Sequence, residues 1–303
     1  MQALRSHEQI RDANTRYHDV AASTYDSKWG IDFGGIGRAQ VLGKARKLLG
    51  SELATGFDEA LEVGAGTGYF SLNLMRAGTI RELTCTDISA GMLTALSKNA
   101  ERLGLENVDT VQTDAESLPF ADASFDLILG HAILHHLPDL DRAFGEFHRV
   151  LRPGGRMLFA GEPSFVGDRL ARLPKRAATA FAPPWRRLIS ASPAPEADPH
   201  EHAGHELESE VDIHAFRPAD LDRLATGAGF RDVTVTGEEL VANWFGWFNR
   251  GLEASVKADD VPMWWRRYAF HGYLALQKLD ARILEPRLPP ALFYNLLLTA
   301  RKP

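Results

Sequence analysis

The sequence is poor in cysteine, in net positive charge and in long apolar runs. Its 303 residues include one cysteine, Cys85, so no internal disulfide can form, which fits a reducing compartment. The formal net charge is −6, which leaves no global positive field to hold a nucleic acid. No stretch approaches the apolar length of a membrane span, and residues 1–16 lack the apolar core of a signal peptide. We therefore expect a cytoplasmic protein with no nucleic-acid partner and no stable membrane insertion.

A glycine-rich segment stands between an apolar run and a helical pattern. It begins at Glu62 and places glycines at positions 64, 66 and 68. Glycine lets the backbone turn sharply and lets a ligand approach the main chain, and the following helix offers free N–H groups. The dinucleotide fingerprint needs its third glycine where Tyr69 stands. Since Glu62 would repel a pyrophosphate, the segment favours a cationic, nucleotide-like ligand with an amino-acid tail; a tight turn without a ligand is the alternative.

Two acidic residues follow the next predicted strands. Asp87 lies 19 residues after Gly68, where a βαβ unit places an acid within reach of both ribose hydroxyls. Asp114 is a candidate hydrogen-bond acceptor for an adenine amino group, and a backbone N–H near Ala115 is a candidate donor to the adenine ring. The alternatives are a helix cap at Asp87 and a solvated loop acid at Asp114.

Five apolar strand patterns alternate with helical patterns. After the strand that ends at the glycine segment, the strands are predicted at 83–87, 108–112, 125–129 and 156–160. Strands that alternate with helices of ten or more residues indicate a parallel α/β sheet.

Five sequence motifs occur in a fixed order along the chain: LEVGAGTG, CTDIS, TDAESLPF, FDLILGHAILHHLPD and RVLRPGGRMLF. They resemble the motifs of class I S-adenosylmethionine-dependent methyltransferases of the small-molecule and ubiquinone/menaquinone type. The resemblance covers residues 57–162 and resumes near 216–230 and 293–303. It implies a doubly wound, mostly parallel, seven-stranded Rossmann-like α/β sheet with S-adenosyl-L-methionine as cofactor. The cofactor contacts that it implies are Glu62, Gly64, Gly66, Gly68, Asp87, Ile88, Asp114, Ala115, His131 (through its carbonyl) and Tyr25.

The chain divides around this core. The predicted parts are an N-terminal helical cap (1–56), the cofactor-binding core (57–162), an irregular insert (163–215), segments that complete the sheet (216–239 and 292–303) and an aromatic-rich helical lid (240–291). Tyr25 belongs to the cap, and two roles remain for its side chain: it covers the cofactor, or it packs on the edge of the sheet. Prolines in the irregular insert are expected to break any long element. The first half of the insert is basic and its second half is acidic. The basic half either steers an anionic acceptor toward the site or is simply a solvent-exposed surface.

The lid segment holds four of the six tryptophans. Because the core does not need them, they must cover something additional: an acceptor pocket, a dimer face or a membrane-surface patch. We expect helices that roof the open end of the sheet and place Trp244, Trp247 or Trp265 near the acceptor.

Three histidines in the insert, His200, His202 and His205, are close in sequence. Their spacing fits no helical or finger pattern of metal ligands, so no metal is predicted.

Methyl transfer to oxygen needs an in-line arrangement and a base that removes the acceptor proton. His135 and His136 follow the fourth strand, and the resemblance to sugar and small-molecule O-methyltransferases implies a histidine base there. Packing is the alternative for both rings. Glu162 is a candidate to orient a histidine or to bind an acceptor hydroxyl, with a simple turn acid as the alternative. The Asn/Asp-Pro-Pro-aromatic run of nucleic-acid amino methyltransferases is absent.

The sequence thus predicts O-methylation of a hydroxyl on a small or amphipathic, partly apolar acceptor, with a homodimer possible. C-methylation of a quinone-like ring is the alternative, and a non-catalytic interaction module is the less favoured one.

Overall fold

A seven-stranded sheet forms the centre of the computed structural model, which describes residues 6–194 and 213–303, without the side chains of Lys28 and Trp29. The strand order is β3-β2-β1-β4-β5-β7-β6, and only β7 runs antiparallel to its neighbours. The strands are β1 (Phe57–Val63), β2 (Ile80–Asp87), β3 (Val108–Gln112), β4 (Phe125–His131), β5 (Leu151–Pro163), β6 (Arg231–Glu238) and β7 (Asn295–Arg301). The predicted fold class is confirmed.

Helices cover both faces of the sheet. They are α1 (His7–Ala21), α2 (Tyr25–Trp29), α3 (Gly35–Leu49), α4 (Glu52–Thr55), α5 (Tyr69–Arg76), α6 (Ala90–Leu103), α7 (Leu140–Val150), α8 (Phe165–Ile189), α9 (Pro218–Gly227), α10 (Val241–Glu253) and α11 (Met263–Leu279). Apolar side chains of α3, α5 and α6 pack on one face, and those of α7 and α9 pack on the other. The inner strands are therefore buried on both sides, which explains why they are continuous apolar runs in the sequence.

Helix α8 corrects the expectation of an irregular insert. It runs for 25 residues through Pro174, Pro183 and Pro184. Each proline removes one backbone donor, but small residues on the buried face of α8 offset this loss by close packing on α10. A Cβ added at Gly251 of α10 would lie only 2.6 Å from the Cβ of Ala178, so the two helices touch at these positions.

Helices α10 and α11 form the aromatic-rich segment and pack against each other. The ring of Phe245 in α10 lies against Gly272 and is 5.5 Å from the ring of Tyr268 in α11. The ring of Trp265 lies 5.2 Å from that of Trp185 in α8. These contacts join α8, α10 and α11 into one layer beside the carboxyl edge of the sheet.

The start of α10 is stabilised from a distant part of the chain. No side chain next to α10 caps it, but the fully buried Asp280 accepts the N–H groups of Val241 (3.2 Å) and Ala242 (2.9 Å). A carboxylate at this end also faces the positive end of the helix dipole.

We predict that Asp280→Ala lowers the free energy of unfolding by about 1–3 kcal/mol, because two buried N–H groups lose their acceptor. Urea denaturation measures this change. Asp259→Ala, which removes an exposed acid from the turn between α10 and α11, is the matched control. Equal stability of the two variants would show that the cap contributes nothing.

Candidate active site

A cavity of about 1300 Å³ opens at the carboxyl ends of β1, β2, β4 and β5. Helices α1 and α2 line it on one side, and α10 and α11 line it on the other. Most of the predicted site residues reach this cavity wall. They are Glu62, Gly64, Gly66, Asp87, Ile88, Asp114, Ala115, His131, His135, His136 and Tyr25.

The glycine turn has the backbone geometry that its sequence predicts. Gly64, Gly66 and Gly68 all have positive φ values, of 60°, 52° and 87°. A Cβ at Gly64 would overlap the side chain of Ile133, and one at Gly68 would lie 2.6 Å from Leu72. At Gly66 no atom lies within 4 Å of that position. Packing therefore requires the outer two glycines, whereas Gly66 borders open space in the cavity wall.

Asp87 is fixed against this turn. Its Oδ2 accepts the N–H of Gly66 (2.9 Å) and its Oδ1 accepts the N–H of Ser89 (2.9 Å). Burial raises the pKa of Asp87, while the nearby His18 and the backbone donors oppose that rise. Each carboxylate oxygen has a second lone pair, so the group retains acceptor capacity for a pair of hydroxyls.

Glu62 is buried behind the turn. Its carboxyl accepts a short hydrogen bond from the Ser71 hydroxyl. Burial is the main reason that the pKa of Glu62 rises to about 8. A cation at this part of the cavity would stabilise the charged form, so the environment of Glu62 suits a positively charged ligand.

Asp114 is bound by a residue that sequence reasoning missed. The Arg11 guanidinium of α1 pairs with Asp114 (Nε to Oδ2, 2.7 Å) and with Glu116. At the other end of α1, Asp19 accepts hydrogen bonds from the Ser89 hydroxyl and from the Gly91 N–H (3.0 Å). Helix α1 is therefore held across the cavity mouth at both ends. Pairing between residues about a hundred positions apart leaves no signal in one sequence.

Aromatic rings of the N-terminal cap face the histidine pair. Tyr25 lies 6.2 Å from His18, ring centre to ring centre, and His18 lies 5.7 Å from His136. The His135 and His136 rings are 3.9 Å apart. The cap and the turn after β4 thus meet at the histidines.

Glu162 organises the turn after β4. It is fully buried within β5, not just beyond that strand as the sequence suggested. Its Oε1 accepts the N–H groups of Ile133 (2.9 Å) and Leu134 (3.0 Å). Its Oε2 accepts the N–H of His135 (3.2 Å) and lies 2.8 Å from His135 Nδ1. A carboxylate only accepts, so Nδ1 carries the proton in this contact and Nε2 is the basic nitrogen of the neutral ring.

His131 has a different environment. Burial is the main cause that lowers its pKa to about 3, so the ring is neutral near pH 7. The ring packs 5.5 Å from that of Tyr69 and 5.3 Å from that of Phe70. Its side chain is therefore a packing element of the cavity wall.

The far wall of the cavity is aromatic and carries charges of both signs. Helices α10 and α11 contribute Trp247, Phe270 and Tyr273, together with Arg250, Glu253 and Arg266. Of the three tryptophans considered from the sequence, Trp247 lines this wall, whereas Trp265 packs on α8.

The histidines at 200, 202 and 205 lie outside the described residues. Within residues 6–194 and 213–303, no group of three or more histidine, cysteine or acidic side chains is arranged to hold a metal. No helix in those two ranges is long and apolar enough to cross a membrane.

Comparisons with known proteins connect this site to a chemistry. Residues 61–159 match the family model described as a methyltransferase domain. A malonyl-[acyl-carrier protein] O-methyltransferase of Methylococcus capsulatus is 38% identical over 238 residues, which cover 73% of this chain and 78% of that protein. A ubiquinone/menaquinone biosynthesis C-methyltransferase of Brucella anthropi is 39% identical over 101 residues, or 33% of this chain and 38% of that one.

A solved structure shares the fold. The phosphoethanolamine N-methyltransferase 2 of Haemonchus contortus superposes with a TM-score of 0.59 at 16% identity, over 100% of this chain and 61% of that one. At this identity the likeness concerns the fold alone.

The two glycines Gly64 and Gly66 provide a matched test of the turn. We predict that Gly66→Ala stays folded but binds S-adenosylmethionine at least about tenfold more weakly, because its Cβ enters the cavity. Gly64→Ala carries a similar cost of left-handed backbone, about 1–2 kcal/mol, and in addition a clash with Ile133, so its melting temperature should fall further. Calorimetric titration and thermal unfolding measure the two effects. Unchanged affinity in Gly66→Ala would remove the turn from the binding site.

Proposed function

Since the chain belongs to the class I S-adenosylmethionine-dependent methyltransferase family, we propose that it methylates a hydroxyl of a small or amphipathic metabolite, with His135 as the general base. It is an enzyme, and S-adenosylmethionine is its methyl donor. The nature of the acceptor atom and the role of the histidine are the proposed part.

The contact between Glu162 and His135 carries the proposal. A buried carboxylate that holds Nδ1–H leaves Nε2 as the atom that accepts a proton, and it stabilises the ring once that proton has arrived. The three N–H groups bound to the same carboxylate keep the turn and the ring in one geometry. Preorganisation of this kind is what a base needs to meet its substrate in the right orientation. The adjacent His136, whose ring is tilted by 45° from that of His135, is proposed to complete the wall beside it.

The cofactor residues fit their proposed roles. When bound, the cofactor supplies a methyl group on a positively charged sulfur. Asp87 has acceptor capacity for the ribose hydroxyls, and Gly66 leaves room for the ligand against the main chain. Asp114 and the backbone near Ala115 are proposed to bind the adenine, with Arg11 fixing the Asp114 carboxylate. Glu62 and the His131 carbonyl are proposed to face the amino-acid end.

C-methylation of an apolar ring remains the second candidate. The aromatic wall formed by Trp247, Phe270 and Tyr273 supports it, as does the similarity to the Brucella anthropi C-methyltransferase. A carbon acceptor needs less assistance from a base. Loss of the histidine should therefore affect the two reactions differently.

We predict that His135→Ala lowers kcat by about 10²–10⁴-fold while the cofactor Kd changes by less than about threefold. The loss should diminish as pH rises, because an acceptor hydroxyl then ionises without a base. The assay follows transfer of a labelled methyl group to the acceptor isolated from a metabolite extract. His271→Ala, an exposed histidine on α11, is the control. An unchanged kcat in His135→Ala would exclude the base role and favour C-methylation.

A second prediction concerns Glu62. With a pKa of about 8, its carboxyl is mostly protonated at pH 7 before binding. A cationic cofactor stabilises the charged form and so expels the proton. Calorimetry in buffers of low and high ionisation enthalpy should therefore show release of up to about 0.9 proton more for the wild type than for Glu62→Gln. Equal proton release by the two proteins would show that no ligand cation acts on Glu62.

A further inference from the structure

Helix α8 has two apolar faces, one buried and the other partly exposed. On the second face the ring of Phe181 also lies 6.1 Å from that of Phe248 in α10. The buried face touches α10, as described above. A second stripe follows helical spacing along the other side and includes three large exposed side chains: Leu173, Phe181 and Leu188 are 55%, 58% and 69% exposed. The full stripe comprises Val166, Leu170, Leu173, Ala177, Phe181, Pro184 and Leu188. Three side chains of this size on one helix face differ from the single exposed apolar residues that any surface carries.

Basic residues flank this stripe. Helix α8 carries six basic residues and one acid, and α11 carries three basic residues and no acid, which gives the two helices a net charge of +8. The whole chain has a net charge of −6, so the remainder carries −14. Positive charge is therefore concentrated on the same two helices that expose apolar side chains.

Helix α11 extends the apolar surface. Met263 and Trp264 at its start are 66% and 55% exposed. The ring of Trp264 lies 5.6 Å from that of Trp265, which packs on Trp185 near the end of α8. The exposed tryptophan thus adjoins the end of α8 that carries Leu188.

We propose that α8 and the start of α11 form a docking surface for an anionic lipid bilayer. An apolar stripe of leucine and phenylalanine, arginine and lysine beside it, and a tryptophan at its edge are the features of helices that lie in a membrane interface. The basic residues attract anionic headgroups, and the apolar stripe enters the boundary of the acyl chains.

Other occupants fit this surface less well. The chain has seven acids between residues 196 and 212, but that stretch has only two large aliphatic side chains, Leu207 and Val211, too few to cover the stripe. An acidic partner protein would neutralise the arginines without needing an apolar stripe along the whole helix. A second copy of the chain that docked through the same face would bring its own +8 against this charge.

The surface also adjoins the cavity. Phe270 and Arg266 of α11 line the cavity wall, and Lys175 of α8 lies over the ring of the cavity residue Trp247 (5.4 Å). A protein docked in this way would present its cavity beside the lipid. The docking itself is independent of the methyl acceptor, so its test needs no assay of activity.

Flotation with lipid vesicles tests the proposal on the full chain. Vesicles of phosphatidylcholine with about 30% phosphatidylglycerol should carry the wild-type protein upward in a density gradient, and added salt should weaken this binding. Vesicles of phosphatidylcholine alone should bind at least about tenfold less. Absence of the wild-type protein from the anionic vesicle fraction would overturn the proposal.

The apolar stripe is tested by the triple change Leu173→Ser, Phe181→Ser and Leu188→Ser. Because all three side chains are more than half exposed, and only the Phe181 ring has an aromatic neighbour, Phe248, the fold should be retained, and vesicle binding should fall at least about tenfold. Ile283→Ser, at an exposed apolar residue outside both helices, should bind as the wild type does. A stripe variant that binds vesicles unchanged would contradict the proposal. So would a wild-type dimer that the stripe variant abolishes, since the face would then belong to a second copy.

The basic flank is tested by Arg172→Glu, Arg176→Glu and Arg187→Glu together. Each basic residue near an anionic surface contributes about fivefold to binding, so the triple change should weaken it on the order of 100-fold or more. A matched variant makes the same change in net charge at other exposed positions: Arg81→Glu, Lys98→Glu and Arg223→Glu. Equal losses in the two triple variants would mean that only net charge matters and would contradict a specific docking face.

Discussion

The carboxylate of Glu162 is the constraint on which the site depends. It is fully buried in a central strand, so it must be matched by donors, and three N–H groups and the His135 ring provide them. The turn that they form carries Ile133, whose side chain lies where a Cβ of Gly64 would stand. The same buried charge therefore fixes the proposed base and one wall of the glycine turn. The glycine turn and the histidine pair are joined through this one group.

The parts of the structure that follow from local pattern could be predicted. The alternation of strand and helix patterns predicts the sheet, and the five sequence motifs indicate the methyltransferase family. Parallel strands bring their carboxyl ends to one edge of the sheet. The topology therefore explains why Asp87, Asp114 and the histidine pair line the same cavity. The roles of these residues in binding and catalysis remain predictions.

The rest depends on contacts between distant residues. Neither the pairing of Arg11 with Asp114 nor the cap that Asp280 places on α10 has a local sequence signature. Helix α8 was missed because proline is a strong local signal against helix, and packing on α10 overrides it. Such tertiary effects are invisible in one sequence without its homologues.

The helices added to the core give the cavity its second wall. No residue of α11 is fully buried, so this helix is held mainly by its contacts with α10 and by the contact of Trp265 with Trp185 of α8. An element with few buried contacts belongs to the less stable part of a structure. Together with α8, this helix also exposes apolar and basic side chains.

The central claim is that the chain methylates oxygen and that His135 removes the acceptor proton. The most direct test incubates wild type and His135→Ala with S-adenosylmethionine carrying a trideuterated methyl group and a metabolite extract, and locates the label by mass spectrometry and NMR. The account predicts a trideuteromethyl group on oxygen in the wild-type reaction and a far smaller amount of the same product with the variant. A label on carbon, or equal amounts of oxygen-bound label with both proteins, would contradict it.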